Sequence, residues 1–220
     1  QLLTREHVEE NMPMVAGLMG AGKRWMLLNS KLIVIVGIPG VGKTTVIEKL
    51  VESLATLDIK SHISVFGSVM LDEAKKIGIK NRDELRTLTV KEQKKLQISA
   101  ANKISNLKYP FIFVDTHLFI KTSEGYCPGL PFDILNSLSP NQIILVEAKP
   151  EEIVERRNTD ITRKRDNLSL DEIIYELNLG RSMLSSSAVI SGATIKTVNN
   201  NNDDIENTIM EITNLLGVMK

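Results

Sequence analysis

Residues 31–50, KLIVIVGIPGVGKTTVIEKL, constrain this chain more than any other stretch. Lys31 to Val36 is an apolar, β-branched run that predicts a buried strand. Gly37 to Thr44, GIPGVGKT, then fits G-x-x-x-x-G-K-[ST] at every fixed position. Val46, Ile47, Leu50, Leu54 and Leu57 recur at helical spacing, so a helix follows. A strand end followed by a Gly-rich turn aims backbone N–H groups at an anion, and the helix start adds its positive dipole end. Gly37, Gly40 and Gly42 allow left-handed torsions and close approach to a phosphate. Lys43 supplies charge at a transferring phosphoryl group, and Thr44 offers a hydroxyl to Mg²⁺. The expected cradle for a nucleoside triphosphate such as ATP is thus Gly37, Ile38, Pro39, Gly40, Val41, Gly42, Lys43, Thr44 and Thr45.

Gly17 to Lys23, GLMGAGK, also satisfies G-x-x-x-x-G-K, but Arg24 stands where the hydroxyl belongs and Pro13 interrupts the short apolar run before it. We read it as a chance match. Residues 1–30 form an appendage without chemistry, either native or a vector-derived extension, since the chain begins with Gln1 and the first strand only at Lys31.

The 220 residues suit one domain with small insertions. Lys plus Arg and Asp plus Glu both number 27, so net charge gives no reason to expect nucleic acid or an anionic membrane as partner. A single cysteine, Cys127, excludes an internal disulfide framework and points to the reducing cytoplasm. No apolar run approaches the ~20 residues of a membrane span.

Further strands are predicted at His62–Phe66, Phe111–Asp115, Gln142–Glu147 and Thr194–Val198. Helices are predicted at Ser68–Ile77, around Leu96–Leu107, from Pro150, from Ser169 to about Ile190, and from Ile205. Asn81–Arg86 reads as a polar connection and residues 116–131 as a turn-rich loop. Five strands alternating with helices give an α/β class with a five-stranded parallel sheet covered on both faces, and the motif after the first strand makes it a P-loop fold.

Three constellations carry chemistry. Asp115 ends an apolar strand, where ligands of open α/β sheets gather, and is the second candidate for Mg²⁺ beside Thr44. His117 reads as a satisfied loop histidine with no catalytic role. Arg156, Arg157, Arg163, Lys164 and Arg165, with Asp160 and Asp166 between them, are dense in charge for so neutral a chain. Charge runs are usually solvated helix faces. This one follows the fourth strand, so it reads as a lid over about 156–168, its arginine forks matching phosphoryl oxygens. Arg86, with Arg82 nearby, lies in a region of about 67–110 suited to a phosphorylated acceptor.

GIPGVGKTT, RDELRTL, VDTHLFIKTSEGYCPGLP and ERRNTDITRKRD, with Asn178 and Arg181 beyond them, resemble the archaeal type of adenylate kinase. The resemblance runs from Lys31 to the C-terminus. It implies reversible Mg²⁺-dependent phosphoryl transfer from ATP to AMP, a short lid, and often a homotrimer. It implies Lys43, Arg86, Arg156, Arg163 and Arg165 as the catalytic cations, with Arg86 on AMP phosphate. Ser68, Ser123 and Cys127 depart from the pattern on the acceptor side. A kinase of UMP, CMP or a metabolite is the alternative. A nucleotide-dependent switch is less favoured, because Asp115 is followed by Thr-His-Leu rather than D-x-x-G and no N-K-x-D guanine motif occurs.

Overall fold

The first strand, β1 (Lys31–Val36), is apolar on both sides because both sides are covered. Leu32, Val34 and Val36 point into one buried cluster, and Ile33 and Ile35 into another. That two-residue alternation between two cores is what a central parallel strand requires. The computed structural model describes residues 30–159, 169–202 and 204–218, apart from the side chain of Arg86. Residues 1–29 and most of the expected lid, 160–168 with Arg163 and Arg165, lie outside the described residues.

In chain order, β1 leads into α1 (Lys43–Thr56), β2 (Ser61–Val65), α2 (Phe66–Lys75), α3 (Arg82–Thr87) and α4 (Val90–Ser105). There follow β3 (Phe111–Asp115), β4 (Phe119–Thr122), β5 (Gly125–Pro128) and α5 (Phe132–Leu138). The rest is β6 (Gln142–Glu147), α6 (Pro150–Thr159), α7 (Leu170–Ser191), β7 (Thr194–Asn199) and α8 (Ile205–Leu216). The main sheet has the order β2–β3–β1–β6–β7 and is parallel throughout. The five predicted strands are all present. Phe66, expected to end β2, instead opens α2.

Helix α1 packs Val46, Ile47, Leu50 and Leu54 on one face of the sheet beside Ile209, Ile212 and Leu216 of α8. Helices α2, α4 and α5 cover the other face through Met70, Ala74, Leu96, Ala100, Ile134 and Leu138. Helix α7 serves both clusters, giving Leu184 to one and Ile173 and Leu177 to the other. Capping boxes start α4 (Thr89 with Glu92) and α7 (Ser169 with Glu172), which fixes where the chain turns back onto the sheet.

Two corrections concern the acceptor side. Asn81–Arg86 is not an open connection: Asn81 caps Asp83 and Glu84 N–H groups, and α3 follows with Arg86 on it. Residues 116–131 are not simply a loop, because β4 and β5 pair as an antiparallel hairpin. Their faces are largely exposed, so the hydrophobic alternation that marks a half-buried hairpin is missing.

Glu73 ties α2 to α4. Its side chain is 9% exposed and accepts hydrogen bonds from Lys76 Nζ (2.7 Å) and Ser99 Oγ (2.9 Å), with Lys103 Nζ at 3.3 Å. The Lys76 hydrogen bond, then those of Ser99 and Lys103, hold the carboxyl below its ordinary range against the opposing effect of burial. A depressed pKa stabilises the fold above the unfolded-state value, near 4.3, and that contribution fades as pH falls through the folded value. Glu73→Gln is expected to cost about 1.5–3 kcal/mol at neutral pH. Thermal melts of the two proteins should converge only in acid, once pH has fallen below the depressed folded value. A gap of equal size at pH 7 and in acid would contradict this account.

Candidate active site

The phosphate loop, Asp115 and the helix that carries Arg156 follow the C-terminal ends of β1, β3 and β6. In the turn after β1, Ile38 and Val41 are buried and anchor the loop from below. Gly40 and Gly42 take φ of +94° and +83°, a region in which a Cβ is strained. Gly42 is the N-cap of α1 and makes no side-chain cap, and the helix has no acidic residue in its first turn. Its leading N–H groups are therefore directed at whatever anion the loop holds.

Lys43 is buried, 7% exposed, and does not reach into solvent. Its Nζ donates to Gly37 O at 2.8 Å and lies 3.5 Å from His117 Nδ1. His117 Nδ1 is itself 3.4 Å from Gly37 O. His117 is a loop histidine with hydrogen-bond partners, as expected, and the fold brings it to the motif lysine. Its loop is fixed by Gly129, whose N–H donates to Leu118 O at 2.7 Å. A Cβ on Gly129 would lie 2.1 Å from His117 O. The segment C-terminal to the hairpin is thus packed against the site, which explains the glycine there.

Asp115 ends β3 opposite Ile35 of β1, one strand over from the phosphate loop. The next residue, Thr116, donates its N–H to Ile35 O at 3.2 Å. Thr44 and Thr45 are exposed at the start of α1. A carboxylate and a hydroxyl are hard oxygen donors, suited to a Mg²⁺ ion that takes its remaining ligands from phosphate and water.

Arg156 is clamped in place. Its guanidinium donates to Asn200 O (3.0 Å), Asn202 Oδ1 (2.7 Å), Glu152 Oε2 (3.1 Å) and the loop carbonyl Val41 O (3.4 Å). Asn200 Nδ2 also donates to Val41 O, at 2.9 Å. The Asn-rich turn after β7 is therefore part of the site's wall. Arg157 departs from the lid expectation. It turns inward, with Nε donating to Pro39 O at 2.8 Å and Nη2 paired with Glu176 at 3.4 Å.

Glu147, at the end of β6, is 4% exposed and held by a two-pronged contact from Arg181, at 2.9 and 2.8 Å. The Glu147 hydrogen bond, opposed by burial, raises the Arg181 pKa further. Glu147 lines a cleft with Gly37, Pro39, His117, Leu118 and Glu176. On the acceptor side, Arg82 Nη2 reaches Ser68 Oγ at 3.4 Å, bridging α3 and α2. Lys43, Thr44, Asp115 and Arg156 are gathered at one end of the sheet. Arg86 sits by its backbone on α3, while Arg163 and Arg165 fall outside the described residues.

Solved structures share this architecture. The shikimate kinases of Bacteroides thetaiotaomicron and Acinetobacter baumannii superpose with TM-scores of 0.53 and 0.51 at 13% and 16% identity. They cover 85% and 87% of this chain, and 98% and 96% of their own. At such identity the likeness concerns the fold alone. A family model described as AAA domain matches residues 36–174. The adenylate kinase of Methanocaldococcus jannaschii is 42% identical over 191 residues, covering 86% of this chain and 100% of its own. The chain belongs to the adenylate kinase family. Sulfurisphaera tokodaii adenylate kinase is also 42% identical, over 84% of this chain and 98% of its own, and that of Pyrococcus furiosus 39%, over 84% and 94%. For an adenylate kinase family member, the contacts of His117, Asn200 and Glu147 at the phosphate loop and cleft extend the set that the motif alone marks. Among the described residues, no helix is long and apolar enough to cross a membrane.

Proposed function

We propose that this chain catalyses reversible phosphoryl transfer from Mg²⁺-bound ATP to AMP, giving two ADP. The observation that carries the reading is the buried lysine of a Gly-rich loop at the sheet's C-terminal edge, in a chain spanning relatives named adenylate kinase nearly end to end. Residues 31–220 are the catalytic unit and residues 1–30 an appendage to it.

Gly37 to Thr45 bind the donor phosphates through backbone N–H groups and the start of α1. Lys43 leaves Gly37 O and faces the transferring group, where its charge counts more in the transition state than in the ground state. Mg²⁺, when bound, neutralises charge on the β- and γ-phosphate oxygens, and Thr44 and Asp115 are the residues that would hold it. Arg86 contacts the acceptor phosphate; Arg156 from its place beside the phosphate loop, with Arg163 and Arg165 as the lid of about 156–168 closes, completes the cationic surround. The protein acts in the cytoplasm as a homotrimer, with AMP as its small-molecule partner.

Acceptor identity is the test. A coupled assay of ADP production from MgATP with AMP, UMP and CMP is expected to give turnover with AMP well above the others. Transfer to UMP or CMP with none to AMP would replace the reading by that of another small-acceptor kinase. Ser68, Ser123 and Cys127 would be the first positions to examine.

A further inference from the structure

A loop that turns its N–H groups toward an anion turns several of its carbonyls away from it, and those carbonyls need donors of their own. Side chains supply them here. Lys43 Nζ serves Gly37 O at 2.8 Å, Arg157 Nε serves Pro39 O at 2.8 Å, and Asn200 Nδ2 serves Val41 O at 2.9 Å. They come from α1, α6 and the turn after β7. Lys43 must leave its carbonyl to meet a phosphate, so Arg157 at Pro39 O, and Asn200 with Arg156 at Val41 O, are supports that persist when nucleotide is bound.

Arg157 is built for that support. Its stem lies flush beneath the loop: a Cβ on Gly40 would meet Arg157 Cγ at 3.0 Å and Nε at 3.3 Å. Its side chain is 7% exposed, and a buried guanidinium requires a neutralising partner. Glu176, 6% exposed, provides it at 3.4 Å from Nη2. Glu176 Oε1 in turn accepts from Tyr126 OH at 3.4 Å, and Tyr126 stands edge-on against Phe119 of the hairpin. Burial, then the charge of Glu176, pushes the Tyr126 phenol above its ordinary pKa, so it remains a donor. The planar fork of arginine lets Nε face Pro39 while Nη2 faces Glu176, which a lysine ammonium does not reproduce.

We propose that Arg157 is a positioning residue for the donor site: with Glu176 as its counter-charge, it holds the Pro39 carbonyl and shapes the phosphate loop without touching nucleotide. The proposal rests on the nucleotide-kinase reading only in that the loop binds ATP.

The test measures ATP and AMP dissociation constants separately by calorimetry, with Mg²⁺ present, alongside thermal melts. Replacing Arg157 alone by an apolar residue would strand Glu176, so the variants are Arg157→Met/Glu176→Gln and Arg157→Lys. Removing both charges together avoids an uncompensated buried ion, and the double variant is expected to fold with a Tm close to that of the wild type. Its ATP Kd should rise about tenfold, with AMP Kd changed by less than about twofold. Arg157→Lys, which keeps the charge but not the fork, should weaken ATP in the same direction. Unchanged ATP affinity in both variants would overturn the proposal. So would a parallel weakening of ATP and AMP that tracks a fall in Tm, since that is a general structural role. A wild-type chain that binds no ATP would remove the premise itself.

Discussion

Lys43→Met is expected to lower kcat by about 10²–10³ while leaving the melting temperature nearly unchanged. The stability side follows from what Lys43 does in the folded protein. It donates to Gly37 O at 2.8 Å, a hydrogen bond of the kind worth about 1 kcal/mol net, and lies 3.5 Å from His117 Nδ1. Against that, its ammonium is 7% exposed and sits at the positive end of the α1 dipole, both of which cost stability. Methionine fills similar space without the charge, so the terms largely offset one another. The rate side has no such offset. In a site closed to water, one donor facing developing negative charge contributes about 3–4 kcal/mol to the transition state. Steady-state turnover and a thermal melt on the same preparation separate the two. A lowered Tm with near-normal turnover per folded molecule would instead make Lys43 a structural residue.

Gly37→Ala is expected to damage both fold and binding. A Cβ at Gly37 would lie 2.4 Å from the backbone oxygen of Val146 and 3.0 Å from Val41 Cγ2, at φ +153°. Neither neighbour is the free end of a flexible chain. Val146 lies in β6, and Val41 is buried in the loop itself. Relieving the contact means moving the β1 end away from β6 or lifting the phosphate loop. Overpacking and backbone strain of this kind cost about 1–3 kcal/mol each. For a chain of this size the total corresponds to a Tm drop of roughly 5–15 °C. ATP affinity should fall with it. Gly67, whose Cβ would meet nothing within 4 Å inside α2, is the control. Gly67→Ala should be neutral or stabilising by up to about 1 kcal/mol. Equal melting temperatures for the two variants would contradict the close-packed description of the loop.

Much of this was legible in the residues. Strands β1, β3 and β6 are continuous apolar runs because both faces of the sheet are covered, and such runs stand out against any background. The phosphate loop was legible because its spacing and its place between strand and helix agree. The hairpin was less so. Its four-residue strands are mostly exposed, and its Ser123–Glu124 turn lacks the Asn-Gly or Asp-Gly signal. Helix α5, seven residues capped by Pro131, is too short to show a period. The site's supporting residues were hidden for another reason. Arg156 and Arg157 are adjacent in a charged run, yet one is half-buried against the turn after β7 and the other buried under the loop. Arg157 finds Pro39 across 118 positions and Glu176 across 19, and no local pattern announces either partner. Asn200 and His117 were obscured in the same way, their roles set by strand order rather than spacing.

The central claim, reversible transfer between ATP and AMP, is tested most directly by supplying ADP alone. With Mg²⁺ and purified protein, phosphorus NMR is expected to show ATP and AMP appearing together in equal amounts until the three nucleotides reach a steady ratio. The Lys43→Met protein should reach the same ratio far more slowly. ADP that persists unchanged, or decays to AMP and inorganic phosphate with no ATP formed, would contradict the account.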